Sequence, residues 1–254
     1  MGENSRSMIN LPTFVLSLTS ANDRRASISS RLDGIVPFQL FDALTPIELE
    51  SSMAERGRLT AGEYCCAKSH SAIANLASCH DVSLVMEDDA LLTNDFSAVL
   101  VDLVRALRAK EVDADVVIVG YSKVPHEDRR RIGYFNPISA EYRLPCGAKV
   151  GEPYRQWPCG TVAYLLTRRG ALRLAAATQQ IDGTADDWAM LVRKGLVVKH
   201  CQPLIVLEDY RVFKSAIEAE RQNFTENNAL LDPIRYGRGA LRALGLMFRG
   251  LRRK

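Results

Sequence analysis

A mainly parallel α/β sheet flanked by helices is the fold predicted by three features of this sequence. Short apolar runs of strand length alternate with longer stretches of helical character, as in a sheet covered by helices. The runs Val82-Ser83-Leu84-Val85-Met86 and Val116-Val117-Ile118-Val119 are apolar on both faces, as expected of strands buried between two layers. At 254 residues, 47% of them hydrophobic and 25% charged, the chain is long enough to close a full core around such a sheet.

Taken in order, Phe14-Val15-Leu16-Ser17-Leu18 reads as a first strand, followed by a polar turn and a helix over residues 23–32 with Arg24 and Arg25 near its start. A short second strand covers residues 38–41, and the polar stretch 45–58 has helical character. Thr60-Ala61-Gly62-Glu63 has the spacing of a capping box, with Thr60 capping and Glu63 reaching back, and a helix from there to residue 77 follows. The 82–86 strand, a helix over 95–110 and a buried strand over 115–120 come next. Residues 121–158 differ: Pro125, Pro137, Pro145, Pro153 and Pro158 among aromatics and charges predict a loop-rich insertion. Order returns with a strand at 160–167, a helix over 169–177, another helix opened by Asp186-Asp187-Trp188, and a late strand at 196–203.

The 82–86 run ends in Glu87-Asp88-Asp89. Ligands of open α/β sheets collect beyond the carboxyl ends of strands, and carboxylates at i and i+2 face one ligand. Acids crowded at a buried strand end repel one another, which a divalent cation with oxygen ligands relieves. The competing reading is a solvated acidic turn that opens the next helix.

The net charge of +3 hides an asymmetry. From Arg235 onward there are seven basic residues and no acid, which leaves residues 1–234 with 26 basic and 30 acidic groups, a net of −4. Within 239–254, Leu241, Leu244, Met247, Phe248 and Leu251 recur at helical spacing with arginines between them. Such a segment suits the headgroup region of an anionic membrane, or a helix packed on the domain with its basic side solvated. No known nucleic-acid motif accompanies it, so no nucleic-acid partner is expected. No apolar stretch is long enough to span a bilayer, and the N-terminus lacks an export signal, so a cytoplasmic protein is expected. Six scattered cysteines without zinc-ligand spacing read as reduced thiols.

Taken together and in order, several blocks resemble glycosyltransferase family 25, the lipooligosaccharide galactosyltransferase family. They are Asn22-Asp-Arg-Arg25, Phe41-Asp-Ala43, Leu59-Thr-Ala-Gly-Glu63 leading to Ala67-Lys-Ser-His70, Leu84-Val-Met-Glu-Asp-Asp-Ala90, Gly160-Thr-Val-Ala-Tyr164, Asp186-Asp187-Trp188, and Pro203 with Ser215-Ala-Ile217. Cys65-Cys66 depart from the family's usual Ile- or Val-Gly-Cys-like sequence. The resemblance implies a GT-A-type, Rossmann-like fold over residues 1–234, followed by a basic amphipathic tail at 235–254. It also implies a UDP-sugar donor, most often UDP-galactose, Mn²⁺ (or Mg²⁺) at the acidic motif, inversion at the anomeric carbon, and a saccharide or lipid-linked saccharide acceptor of lipopolysaccharide or a related envelope glycan.

Under that reading Glu87 and Asp89 are the metal ligands, and Asp88 holds a metal-bound water or the donor's ribose. Asp187 is the general base that deprotonates the acceptor hydroxyl, with Asp186 in reserve and Trp188 stacking on a sugar. The alternative for this trio is an N-cap with a buried Trp anchoring the helix. Arg24 or Arg25 reaches the nucleotide phosphate or ribose, His70 sits beside the donor, and Gly160-Thr161 lets backbone approach the sugar. Each has a plainer counterpart: a surface arginine pair, a core histidine, a turn glycine. Competing functions are a nucleotidyltransferase or metal phosphohydrolase, disfavoured by the lack of a Gly-rich phosphate loop, and a catalytically silent nucleotide-sugar-binding or membrane-associated protein of the same fold.

Overall fold

The computed structural model describes residues 8–122, 124, 126–156, 160–209 and 232–252. Strand β1 (Thr13–Ser17), helix α1 (Asn22–Leu32) and strand β2 (Phe38–Asp42) form the first unit, with β1 and β2 parallel. The polar stretch after β2 forms a 3₁₀ turn at Glu50–Arg56 instead of a full helix, and none of its residues is buried. Only Leu49 and Met53 of the segment pack, against Tyr64, Ala67 and Ile181, which is too narrow an apolar stripe for a longer helix. Helix α2 (Ala61–Ala77) starts at the predicted capping box, with both reciprocal hydrogen bonds of Thr60 and Glu63 formed.

Strand β3 (Val82–Glu87) lies parallel to β1, and a tight turn leads to β4 (Ala90–Leu92) and helix α3 (Phe96–Arg108). Strand β5 (Val116–Tyr121) opens the second half. The region read as a loop-rich insertion carries a short helix α4 (Ile132–Phe135) and a small antiparallel pair, β6 (Tyr142–Arg143) and β7 (Lys149–Gly151). Strand β8 (Thr161–Thr167), helices α5 (Arg168–Ala177) and α6 (Trp188–Arg193), and strands β9 (Val198–Gln202) and β10 (Val206–Glu208) complete the sheet. Helix α7 spans Asp232–Arg252.

Across the sheet the order is β2-β1-β3-β8-β5-β9-β7-β6, and β10 joins β4 to the far end of β5. Seven of the strands, β2, β1, β3, β5, β9, β6 and β10, run the same way. Between β3 and β5 sits β8, antiparallel to both. The insertion is therefore sheet-bearing at its end, since β7 extends the sheet through β9.

Alternation divides the strand residues between two cores. Val15, Leu84, Met86, Val117 and Val119 pack with Ile28, Leu32, Leu100 and Leu103 of α1 and α3. Phe14, Leu16, Val85, Val116 and Ile118 face the other way, against Ile73, Leu174, Trp188 and Leu191 of α2, α5 and α6. The result is a three-layer α/β/α fold with its parallel strand ends converging at the Glu87-Asp88-Asp89 turn. Among the described residues no helix is long and apolar enough to cross a membrane. Cys65, Cys66, Cys79, Cys146 and Cys201 form no disulfide.

Candidate active site

The site is built where β1 and β3 end side by side, Leu16 opposite Glu87 in register. The next residue of β1, Ser17, donates its hydroxyl to Asp88 Oδ2 at 2.7 Å. The turn after β1 brings the first turn of α1 over the acids, and Arg24 Nη1 stands 3.1 Å from Asp88 Oδ1 and 3.5 Å from Asp89 Oδ2. Asp88 is thus held from both sides by the first βα unit.

Adjacent residues on a helix point about 100° apart, and Arg25 shows the consequence. Its guanidinium bonds to Leu18 O at 2.9 Å, Ser17 O at 3.1 Å and the Asp42 carboxylate, tying α1 to the ends of β1 and β2. Of the two arginines, Arg24 is the one beside the acids. Arg31, from the last turn of α1, bonds to Ala90 O at 2.8 Å and to Asp209 at 2.5 Å, fixing the turn from behind.

The electrostatics of the turn are unbalanced. Asp89 is buried, and its Oδ1 has no hydrogen-bond partner among the described residues. Burial first, then the charges of Glu208 and Asp88, push its carboxyl up to about 7 against the opposing pull of Arg24. Glu87 is raised well above the ordinary carboxylate range, by burial and then by Asp89, Asp186, Glu208 and Asp88. Among the described residues, more negative charge is concentrated here than the neighbouring cations neutralise. A buried carboxylate oxygen with no donor, ringed by further carboxylates, is the donor set of a hard divalent cation, so the residues fit Mn²⁺ or Mg²⁺.

Glu208 was not singled out from the sequence. It ends β10 opposite Ala90 and is buried beside the turn. Its signal was present in miniature, since Val206-Leu207-Glu208 repeats the apolar-then-acid pattern of β3 in three residues.

The second acidic pair joins β8 to α6. Asp186 Oδ2 accepts from the backbone amides of Gly160 and Thr161, the latter at 3.1 Å, and burial raises its carboxyl despite those bonds. Gly160 has φ +90°, a conformation that favours glycine, and this lets two successive amides turn toward one carboxylate. Those amides brace Asp186 in the structure.

Asp187 is the N-cap of α6, its Oδ1 accepting from Met190 N at 2.8 Å. Trp188 is 1% exposed, donates Nε1–H to Thr161 Oγ1 at 2.6 Å and meets Tyr164 edge-on. Stacking of Trp188 on a sugar is therefore corrected: the ring is a core anchor, and the capping reading of this trio describes the cap and the tryptophan.

His70 is buried and neutral, burial lowering it to about 4, and its Nδ1 shares a 2.8 Å hydrogen bond with the Tyr164 hydroxyl. The structure thus gathers Arg24, Glu87, Asp88, Asp89 and Glu208 at one turn, brings Asp186 near enough to Glu87 to raise its carboxyl, and leaves Arg25 to brace the scaffold. Ser215-Ala-Ile217 lies outside the described residues. A separate cleft of about 740 Å³, lined by Asp81, Arg108, Lys110 and Arg168 among others, opens at the amino ends of the parallel strands. It is the wrong end for the ligands of such a sheet.

A family model described as glycosyltransferase family 25 (LPS biosynthesis protein) matches residues 10–190. None of the curated proteins matches the sequence. Among solved structures, A197 from STIV aligns over 76% of this chain and 81% of its own, with 11% identity and a TM-score of 0.36. Mouse xyloside xylosyltransferase 1, in its apo form, aligns over 72% and 68%, with 12% identity and a TM-score of 0.34. Neither likeness bears on substrate.

Proposed function

The chain belongs to glycosyltransferase family 25, and we propose that it is a metal-dependent inverting hexosyltransferase taking galactose from UDP-galactose to a saccharide acceptor of a lipopolysaccharide-type glycan. The observation that carries the metal and the nucleotide diphosphate is the orphaned Oδ1 of Asp89 among crowded carboxylates, with Arg24 alongside.

Glu87 and Asp89 would hold Mn²⁺ or Mg²⁺, with Glu208 at hand as a further oxygen donor. When bound, the cation supplies charge neutralisation to the departing diphosphate. Arg24 binds the same diphosphate and orients it, while Ser17 keeps Asp88 turned toward the donor. Asp187 removes the proton from the acceptor hydroxyl through Oδ2, because Oδ1 is engaged at the helix cap. Asp186, gripped by two amides, positions that segment. His70 lines the donor side from α2.

Helix α7 supports a lipid-linked acceptor. One face packs on α4: Arg242 donates to Phe135 O and Asn136 Oδ1, and the Tyr236 ring meets that of Phe135 at 4.8 Å. Leu241, Leu244, Met247 and Phe248 stand on the opposite face and are exposed, between 51% and 69%. An apolar stripe turned away from its own domain suits insertion at an anionic membrane surface, with the catalytic unit on the cytoplasmic side.

The test is UDP release from a panel of UDP-sugars, with and without Mn²⁺, for the intact protein and for Asp89→Asn. Metal-dependent release with UDP-galactose that is lost in the variant is expected. Release from no UDP-sugar, with donor binding retained, would favour a silent nucleotide-sugar-binding protein instead.

A further inference from the structure

Cys66 and His70 stand one helical turn apart on α2 and face the end of β3. The Cys66 sulfur, one ring nitrogen of His70 and a carboxylate oxygen of Glu87 all lie within 4.8 Å of one another. We propose that these three side chains form a second metal site, selective for a thiophilic divalent cation such as Zn²⁺, immediately beside the oxygen-only site and sharing Glu87 with it.

The donor set argues for the class of metal. A thiolate, an imidazole and a carboxylate are the ligands of zinc, which takes sulfur and nitrogen readily, whereas Mg²⁺ and Mn²⁺ prefer oxygen donors such as Asp89 and Glu208. The i, i+4 spacing places Cys66 and His70 on one helix face, so the pair is set by α2 alone and only the acid comes from elsewhere. The Tyr164 hydroxyl on His70 Nδ1, at 2.8 Å, is the kind of outer contact that fixes the ring of a metal-bound histidine. Three protein ligands leave a fourth zinc position open to water or to a substrate oxygen. On binding, bonds form from the metal to sulfur, nitrogen and oxygen, and the Cys66 thiol proton is released to solvent.

Sharing Glu87 has a functional consequence. Zinc held by Cys66 and His70 draws that carboxylate away from the hard-cation site, so zinc antagonises Mn²⁺. The zinc site itself does not depend on the sugar chemistry proposed above.

The experiment is zinc titration of the full chain by calorimetry in the presence of excess Mg²⁺, together with Co²⁺ substitution followed by absorption. One equivalent of Zn²⁺ per chain is expected, and a thiolate-to-cobalt charge-transfer band. Cys66→Ser should remove the band and weaken zinc by more than the roughly tenfold of an outer-sphere change, and Tyr164→Phe should weaken it by about tenfold. Asp89→Asn should leave zinc binding intact. In the unmodified protein, zinc should slow alkylation of Cys66, read by peptide mapping, which needs no variant to fold. Equal zinc affinity in the Cys66→Ser variant, or alkylation of Cys66 indifferent to zinc, would overturn the site. Because no sugar substrate is present, a chain that binds zinc here yet transfers no hexose keeps this site and loses the transferase proposal.

Discussion

Arg24 and Asp88 meet at 3.1 Å across the ends of α1 and β3, and this contact joins a cation of the first βα unit to the acidic turn. The guanidinium also stands 3.5 Å from Asp89. A cation in that position tempers the carboxylates and lies where a diphosphate held by them would meet it. Arg24→Gln is expected to weaken UDP binding by about ten- to a hundredfold, the range for losing a charge-assisted contact worth about 1.5–3 kcal/mol. Arg24→Lys should recover part of it. Calorimetry with UDP and Mn²⁺ checks both, and undiminished binding in Arg24→Gln would place the diphosphate elsewhere.

The two adjacent aspartates of the second cluster predict different phenotypes. Asparagine caps a helix as well as aspartate does, so Asp187→Asn should fold with unchanged thermal stability. If Asp187 takes the acceptor proton, the same variant loses about 10²- to 10⁴-fold in turnover while donor affinity stays nearly constant. Asp186→Asn keeps an oxygen for the Gly160 and Thr161 amides and should lose far less. Turnover retained in Asp187→Asn and lost in Asp186→Asn would exchange the two roles.

Features decided by neighbours in sequence were legible before the fold was. The Thr60–Glu63 capping box, the 82–86 strand and its terminal acids depend on local pattern, and all occupy their expected places. Partner choice was not legible. Nothing in Thr161–Thr167 marks it as antiparallel, because an apolar run reads the same in either direction and its partners lie some 45 and 80 residues away. Strands β4 and β10 have three residues each, too few for a period to show, and Glu208 was hidden with them. Arg24 could not be told from Arg25 without the azimuth of α1. For Trp188, composition is silent on whether a ring faces a sugar or the core.

Asp89 links stability to metal occupancy. Mn²⁺ at a hundred times its dissociation constant should stabilise the folded protein by about 2.7 kcal/mol, seen as a rise in melting temperature. Asp89→Asn removes a carboxylate from a crowded, buried set, so the metal-free variant should melt no lower than the metal-free parent and gain little from Mn²⁺. A variant still stabilised by Mn²⁺ to the parental extent would exclude Asp89 as a ligand.

His200 sets an acid-sensitive contribution away from the site. It is fully buried, bonds to the Tyr121 hydroxyl and to Gln156 at 2.9 Å, and burial lowers it to about 3. The unfolded chain takes up a proton on this ring as pH falls below about 6.5, and the folded chain does not until about 3. Stability from this group is therefore complete above 6.5 and is lost on acidification, by up to about 1.4 kcal/mol per pH unit. The raised carboxyls of the acidic turn slope the opposite way, so the informative quantity is a difference. Urea midpoints of the parent and His200→Gln should converge between pH 6.5 and 4.5, and a constant gap would show that the ring is already charged in the folded state.

The outward stripe of α7 makes the membrane proposal separable from catalysis. Leu244 and Phe248 are 51% and 65% exposed, so replacing both by glutamate leaves the packing of Arg242 and Tyr236 on α4 untouched. The double variant should lose at least about tenfold in affinity for anionic vesicles, since two apolar side chains no longer insert and two charges of the wrong sign are added. Transfer to a water-soluble acceptor should be unchanged, whereas transfer to a vesicle-embedded one should fall with the binding. Vesicle flotation reads the first effect. Equal flotation of parent and variant would assign the stripe to contact with another protein surface, because an exposed row of Leu241, Leu244, Met247 and Phe248 is too apolar to remain facing water.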